Sequence, residues 1–366
     1  MIIDLTDTSA SRIGAALVQA RRKSGSPTTG AVLTMLVATD ERRHYDAMKS
    51  ASRASREHPS RIIVVIGRPE VARTRLDAEV RVGDETGPGE VIVLRLYGEL
   101  SAHADSVVLP LLLPDVPVVT WWPDEGPDVP KADPLGALAQ RRITDAAEYH
   151  KSMAKLRARA AAYVPGDTDL CWTRLTPWRS MLAAALDQFP RPVVGASVSG
   201  EEGNPSVRVL AVWLRQRLGV PVERTADEGP GITGVHLTTV DGPISLTRPD
   251  GELATLSVPG QPDRPVALKR RENAELIAEE LRRLDPDDVY GKLLREIDIS
   301  FTDPLKVAGP TAERARREAE EAQQLEAQVA GAESADAASA EAVSGAAASG
   351  EARSDAAGAA DSEASA

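Results

Sequence analysis

The side chains that could carry out chemistry are few and scattered. Five histidines, His44, His58, His103, His150 and His236, stand alone, none at metal-ligand spacing from another histidine or from the single cysteine, Cys171. The segment Gly195-Ala196-Ser197-Val198-Ser199-Gly200 approaches a nucleophile elbow, but Ser199 stands where Gly-x-Ser-x-Gly requires the second glycine. Gly200-Glu201-Glu202-Gly203 joins a predicted strand to a predicted helix start, a common phosphate position, yet its two glutamates would repel one, so it reads as a capped turn. There is no Walker A sequence and no Gly-x-Gly-x-x-Gly between a strand and a helix. The residues therefore point to no catalytic, cofactor or metal site.

The tryptophans are distributed differently. Trp121 and Trp122 are adjacent; Trp172 and Trp178 flank Arg174 and sit beside Arg179 within Thr168–Gln188. Trp and Arg are the types most enriched at protein–protein hot spots, so Trp121, Trp122, Trp172, Arg174, Trp178 and Arg179 are the candidate partner-binding residues. The competing reading puts the indoles in the core or in an inter-domain seam. Trp213 lies beside the apolar stripe of a helix and reads as structural.

These residues need a scaffold, and the totals bound it. The 366 residues suit two domains, 42% hydrophobic content can fill two cores, and aromatics are scarce at 3%. Half of the net charge of -12 sits in residues 331–366, which hold seven acids and one base. The body is thus only mildly acidic, which argues against a nucleic-acid footprint. One cysteine cannot form an internal disulfide. The acidic start MIIDLTD does not resemble a signal peptide, and no apolar run reaches membrane-spanning length, so a cytoplasmic protein without membrane contact is expected.

Residues 1–165 read as an α/β domain with a mixed sheet. Ala31–Val37, a helix from Asp40 to Ser55 and the β-branched run in Arg61–Gly67 form a strand–helix–strand unit. Thr74–Val82 and Glu90–Leu96 form a hairpin, Val116–Trp122 is a further strand, and a helix over Tyr149–Tyr163 closes the domain. Thr176-Pro177 marks a helix start, with Thr176 as cap. Residues 166–300 read as an α+β domain: a strand at Val193–Val198, a helix from Asn204-Pro205 to Gly219, an antiparallel meander with turns at Asp241-Gly242, Asp250-Gly251 and Pro259-Gly260, and two helices. Residues 301–366, rich in Ala, Glu and Ser, are expected to be mostly a disordered acidic tail.

Four stretches in order, REHPSRIIVVIG, LPLLLPDVPVVTWWP, DLCWTRLTPWRSMLAAALDQ and ELRRLDPDDVYGKLLREI, resemble the glucose-6-phosphate dehydrogenase assembly protein family, OpcA. The resemblance implies a non-catalytic assembly factor or allosteric activator that binds glucose-6-phosphate dehydrogenase in the oxidative pentose phosphate pathway. A sugar-phosphate- or nucleotide-binding enzyme or sensor is the alternative. It would use the inter-domain crevice, with Arg61, Arg174 and Arg179 as ligand contacts.

Overall fold

The run Ile62–Ile66 is fully or almost fully buried at the middle of an eight-stranded sheet, as an unbroken β-branched strand covered on both faces must be. The computed structural model describes residues 1–24, 30–83, 89–149 and 152–300. The acidic tail, residues 25–29, the tip of the predicted hairpin turn and His150 lie outside them.

In chain order the elements are β1 (Ile2–Leu5), α1 (Ala10–Ser24), β2 (Leu33–Thr39), α2 (His44–Ala54), β3 (Ser60–Arg68), β4 (Arg75–Val82), β5 (Glu90–Tyr97), α3 (Ala104–Val108), β6 (Val118–Trp121), α4 (Pro134–Leu138), β7 (Arg141–Thr144) and α5 (Ser152–Ala161). There follow β8 (Asp167–Asp169), α6 (Leu170–Thr173), α7 (Thr176–Gln188), β9 (Val193–Glu201), α8 (Pro205–Leu218), β10 (Val222–Asp227), β11 (Ile232–Thr239), β12 (Gly242–Thr247), β13 (Leu253–Ser257), β14 (Arg264–Ala267), α9 (Asn273–Leu281) and α10 (Asp288–Ser300).

The first sheet has the order β1-β4-β5-β3-β2-β6-β7-β8. It is parallel from β5 to β8, with β4 and β1 added antiparallel at one edge. The expected mixed sheet is therefore present. One face packs against α1, α3 and α4 through residues such as Ile13, Leu17, Val107, Val108 and Leu135. The other face packs against α2 and α9, where Ala47, Met48 and Ala51 meet Leu276, Ile277 and Leu281.

The second sheet has the order β10-β9-β11-β12-β13-β14, antiparallel except for β10 beside β9. Strands β11 to β14 are the expected meander. Its inward residues Val198, Val235, Leu237, Ile244, Leu246 and Leu256 share one core with Trp172, Trp178, Leu182 and Leu210. Its outward residues are mostly Ser, Thr, Gly and His, with Pro243 and the exposed Leu253 among them. Ser197, His236 and Ser245 lie side by side across the strands, followed by Ser257, with Ser199, Gly234, Thr247 and Thr255 in the neighbouring row.

The boundary expected at 165/166 falls just after α5, but the segments beyond it interlock with the first layer. β8 extends the first sheet and α9 covers one of its faces. Helix starts also shift. Asp40 accepts from the Arg42 and Arg43 amides in a turn, and α2 begins only at His44. Thr176 is not a cap: it is already helical, and its hydroxyl donates to Glu279 at 2.6 Å.

Candidate functional site

The stretch from β8 to α7 is bound to its surroundings by buried charge. Asp169, at the end of β8, caps α6 through the Cys171 amide and accepts from Arg159 of α5 at 2.8 Å. Arg174 grips the fully buried Asp145 with both terminal nitrogens, one at 2.7 Å. Glu280 of α9 accepts from Arg141 of β7 and from the Thr173 hydroxyl, the latter at 2.6 Å. Arg271 reaches Glu279 and the Thr173 carbonyl. Paired, hydrogen-bonded charges of this kind are the form in which ions tolerate burial.

This network places the predicted partner-binding residues. All four tryptophans are buried, from 1% exposure at Trp121 to 4% at Trp122, so none presents an indole face to solvent. Trp121 packs with α2 and α9, and Trp122 packs over Gly126 and Gly136. Trp172 and Trp178 belong to the core of the second sheet, so the two pairs do not form one patch. The Trp172 indole N–H donates to Asp287 at 2.8 Å, its ring stacks on Tyr290, and the Arg179 guanidinium lies 3.5 Å from its centre. Burial pulls Arg179 down to about 10, against the pull of Asp287 and Glu279. Arg174 keeps its proton firmly because Asp145 outweighs the cost of its burial. Arg61 lies elsewhere, buried between Glu90 and the Leu111 carbonyl, so the structure does not join it to Arg174 and Arg179 as a ligand set.

Sequence reasoning missed the feature that could take a ligand. A cavity of about 240 Å³ opens where the starts of α7, α8 and β11 meet the ends of β9, β12 and β14. Arg174, Arg248, Lys269, Arg270 and Arg271 line it, against two carboxylates, Glu148 and Glu201. Three of the cations have carboxylate partners: Asp145, Glu275 and Glu279 for Arg174, Lys269 and Arg271. Arg248 and Arg270 form no ion pair among the described residues. Arg248 is only 5% exposed and donates to the Leu268 and Ile232 carbonyls at 2.6 and 3.1 Å, while its Nε–H has no partner. Burial first, then Arg270, pulls it down to about 10. The sequence signal was the basic triplet Lys269-Arg270-Arg271 between the meander and α9.

Asp145, Asp169 and Cys171 bring ligand-type atoms within 4.8 Å of one another. Arg174 and Arg159 already neutralise the two carboxylates, and burial pushes the Cys171 thiol well up, away from the thiolate a metal needs. The cluster is a closed structural unit.

Two family models match this chain in order. Residues 51–161 match the family described as glucose-6-phosphate dehydrogenase subunit N-terminal domain, and residues 165–294 the corresponding C-terminal domain. No curated protein matches the sequence. Among solved structures, a 3-ketoreductase from Actinomadura kijaniata is similar at 10% identity, covering 76% of this chain and 99% of its own, with a TM-score of 0.43. An NAD-binding oxidoreductase from Klebsiella pneumoniae is similar at 10% identity, covering 74% and 96%, with a TM-score of 0.39. An oxidoreductase from Sinorhizobium meliloti follows at 9%, covering 72% and 86%, with a TM-score of 0.38. None is close enough to carry an argument about this chain. Among the described residues, no helix is long and apolar enough to cross a membrane.

Proposed function

Because the chain belongs to the glucose-6-phosphate dehydrogenase assembly (OpcA) family, we propose that it is a non-catalytic subunit that binds the dehydrogenase and activates it allosterically. The observation that carries this reading is the pair of family matches, which run in order through both sheet layers, from residue 51 to residue 294. We place the contact on the second sheet. Because the tryptophans face inward, the candidate is the outward face of the second sheet, the Ser, Thr, Gly and His rows of β9 to β13. Short side chains leave such a face flat, so another protein can approach it closely over a wide area.

Activation requires this chain to bind the active form of the dehydrogenase more tightly than the inactive form, since equal affinity shifts nothing. A coupling of about 1–3 kcal/mol is the usual scale, and it is reciprocal. Glucose 6-phosphate bound to the dehydrogenase therefore tightens the enzyme's hold on this chain by the same factor. The test is sedimentation of the two purified proteins with and without the sugar phosphate, alongside dehydrogenase kinetics. Thr238→Arg and Thr255→Arg, which place long cations on the outward face, should abolish co-sedimentation and leave folding intact. Undiminished binding by both variants removes the sheet face as the contact. Binding with unchanged kinetics and no effect of the sugar reduces the role to assembly.

A further inference from the structure

The basic cavity holds a buried cation that its own lining leaves without an ion pair among the described residues. Burying a guanidinium without a directly bonded counter-charge is costly, and Arg248 is nineteen-twentieths buried with no ion pair among the described residues and an unpartnered Nε–H, the opposing charge acting on it being the exposed Asp250, with which it forms no ion pair. The Trp178 ring lies 5.1 Å from it, which holds the group in place but supplies no negative charge. Arg270 stands exposed on the same cavity and forms no ion pair among the described residues. The N-terminus of α8 opens into it at Asn204 and Ser206, and adds the positive end of a fourteen-residue helix. Two carboxylates, Glu148 and Glu201, also line the cavity, so its cations outnumber them rather than stand alone. One oxygen of Glu201 is held by the Gly231 amide and the Asn204 side chain at 3.2 and 3.1 Å. Burial and nearby Asp145 push the Glu148 carboxyl up, against the pull of Arg174 and Arg43.

We propose that this cavity binds a small phosphate monoester, with Arg248 and Arg270 holding the phosphate and the remaining space holding a body of sugar size. A phosphate matches the geometry because its oxygens accept paired hydrogen bonds from guanidinium groups. The size sets the upper limit: at about 240 Å³ the cavity lies below the range that holds drug-sized ligands, so a dinucleotide does not fit inside it. The inference concerns the isolated chain and stands independently of any contact with the dehydrogenase.

The test titrates the purified full chain with inorganic phosphate, with glucose 6-phosphate, and with sodium chloride at matched ionic strength. Binding is read from tryptophan fluorescence, since Trp178 lines the cavity, and from ³¹P line width. Both phosphates should saturate, the sugar phosphate about ten-fold more tightly, and chloride should not. Arg270→Ala and Arg248→Gln should each weaken binding by about ten-fold or more, the scale of one charge-assisted hydrogen bond. If Arg248→Gln fails to fold, Arg270→Ala decides, because that side chain is exposed and unpaired. No saturable response to either phosphate, a chloride response of the same size, or saturation unaffected by Arg270→Ala would overturn the proposal. Equal affinity for inorganic phosphate and the sugar phosphate would overturn its ester component.

Discussion

Removing Arg174 tests whether its role is to compensate buried charge or to contact a partner. Asp145 is fully buried, and both of its oxygens are held by Arg174. Without Arg174 the carboxylate keeps the Ala147 amide at 3.1 Å and has Asp169 as a like-charged neighbour. Stranding one member of a buried pair costs about 3–5 kcal/mol, a large share of the stability of an ordinary domain. Asp145→Asn leaves Arg174 with some access to water and should cost less, about 1–3 kcal/mol. The Asp145→Ala, Arg174→Ala double variant should cost less than the sum of its single changes, because no charge is then stranded.

The effect of pH follows from the same pair. Burial pushes the Asp145 carboxyl up, and Arg174 is the main force holding it down, so Arg174→Ala moves it further up. A carboxyl whose folded pKa exceeds its unfolded one binds more protons in the native state, and the native state then loses stability as pH rises through that window. The deficit of Arg174→Ala should therefore be larger at pH 8 than at pH 5. Urea unfolding followed by far-UV circular dichroism at the two pH values measures it. A loss below about 0.5 kcal/mol, the ordinary scale for a surface substitution, would refute the argument and return Arg174 to the surface as a contact residue.

Three further outcomes are expected. Cys171, fully buried with its thiol pushed up, should not react with Ellman's reagent in the native protein and should react once per chain in guanidinium; native labelling would mean α6 opens readily. Trp172→Phe removes the indole N–H bond to Asp287 and should cost about 1.5–3 kcal/mol, the usual scale for a hydrogen bond to a charged group; a neutral result in urea unfolding would show that Trp172 does not anchor α10. Gly136→Ala puts a methyl 1.8 Å from the Pro130 carbonyl oxygen and should cost about 1–3 kcal/mol as the 130–132 turn shifts; unchanged thermal stability would refute that close approach.

What could be read from the chain depended on whether the signal was local. The Ile62–Ile66 run, the glycine turns of the meander and the Asn204-Pro205 start of α8 are short-range signals, and each corresponds to an element of the structure. Strand β10, Val-Glu-Arg-Thr-Ala-Asp, alternates half-buried with exposed residues at a sheet edge, so its polar composition reads as loop. Strand β8 is Asp-Thr-Asp, and its burial depends on Arg142 and Arg159, which come from other elements. The tryptophans could be located but not assigned to inside or outside, because that depends on Asp287, Tyr290 and α9, more than a hundred residues downstream of Trp121 and Trp172. The cavity was invisible for the same reason. Arg248 acquires its place only where the end of β12 meets the starts of α7 and α8.

Helix α9 constrains the order in which the molecule can be completed. The strands of the first sheet are all synthesised by Asp169, yet one face of that sheet, with the apolar side of α2, waits for Leu276, Ile277 and Leu281. At the usual translation rate of about 5–20 residues per second, the delay is on the order of ten seconds. Throughout it the nascent N-terminal half carries an exposed stripe of Met48, Ala51 and Ala54. The chain is thus committed to folding late: the first layer can form early as a sheet, but it becomes watertight only when its last helix leaves the ribosome. Cutting the gene between the two family-matched segments would leave the first product with a permanently open face, and a helix supplied in trans, residues 273–281 carried on the second product, would be the natural means of closing it.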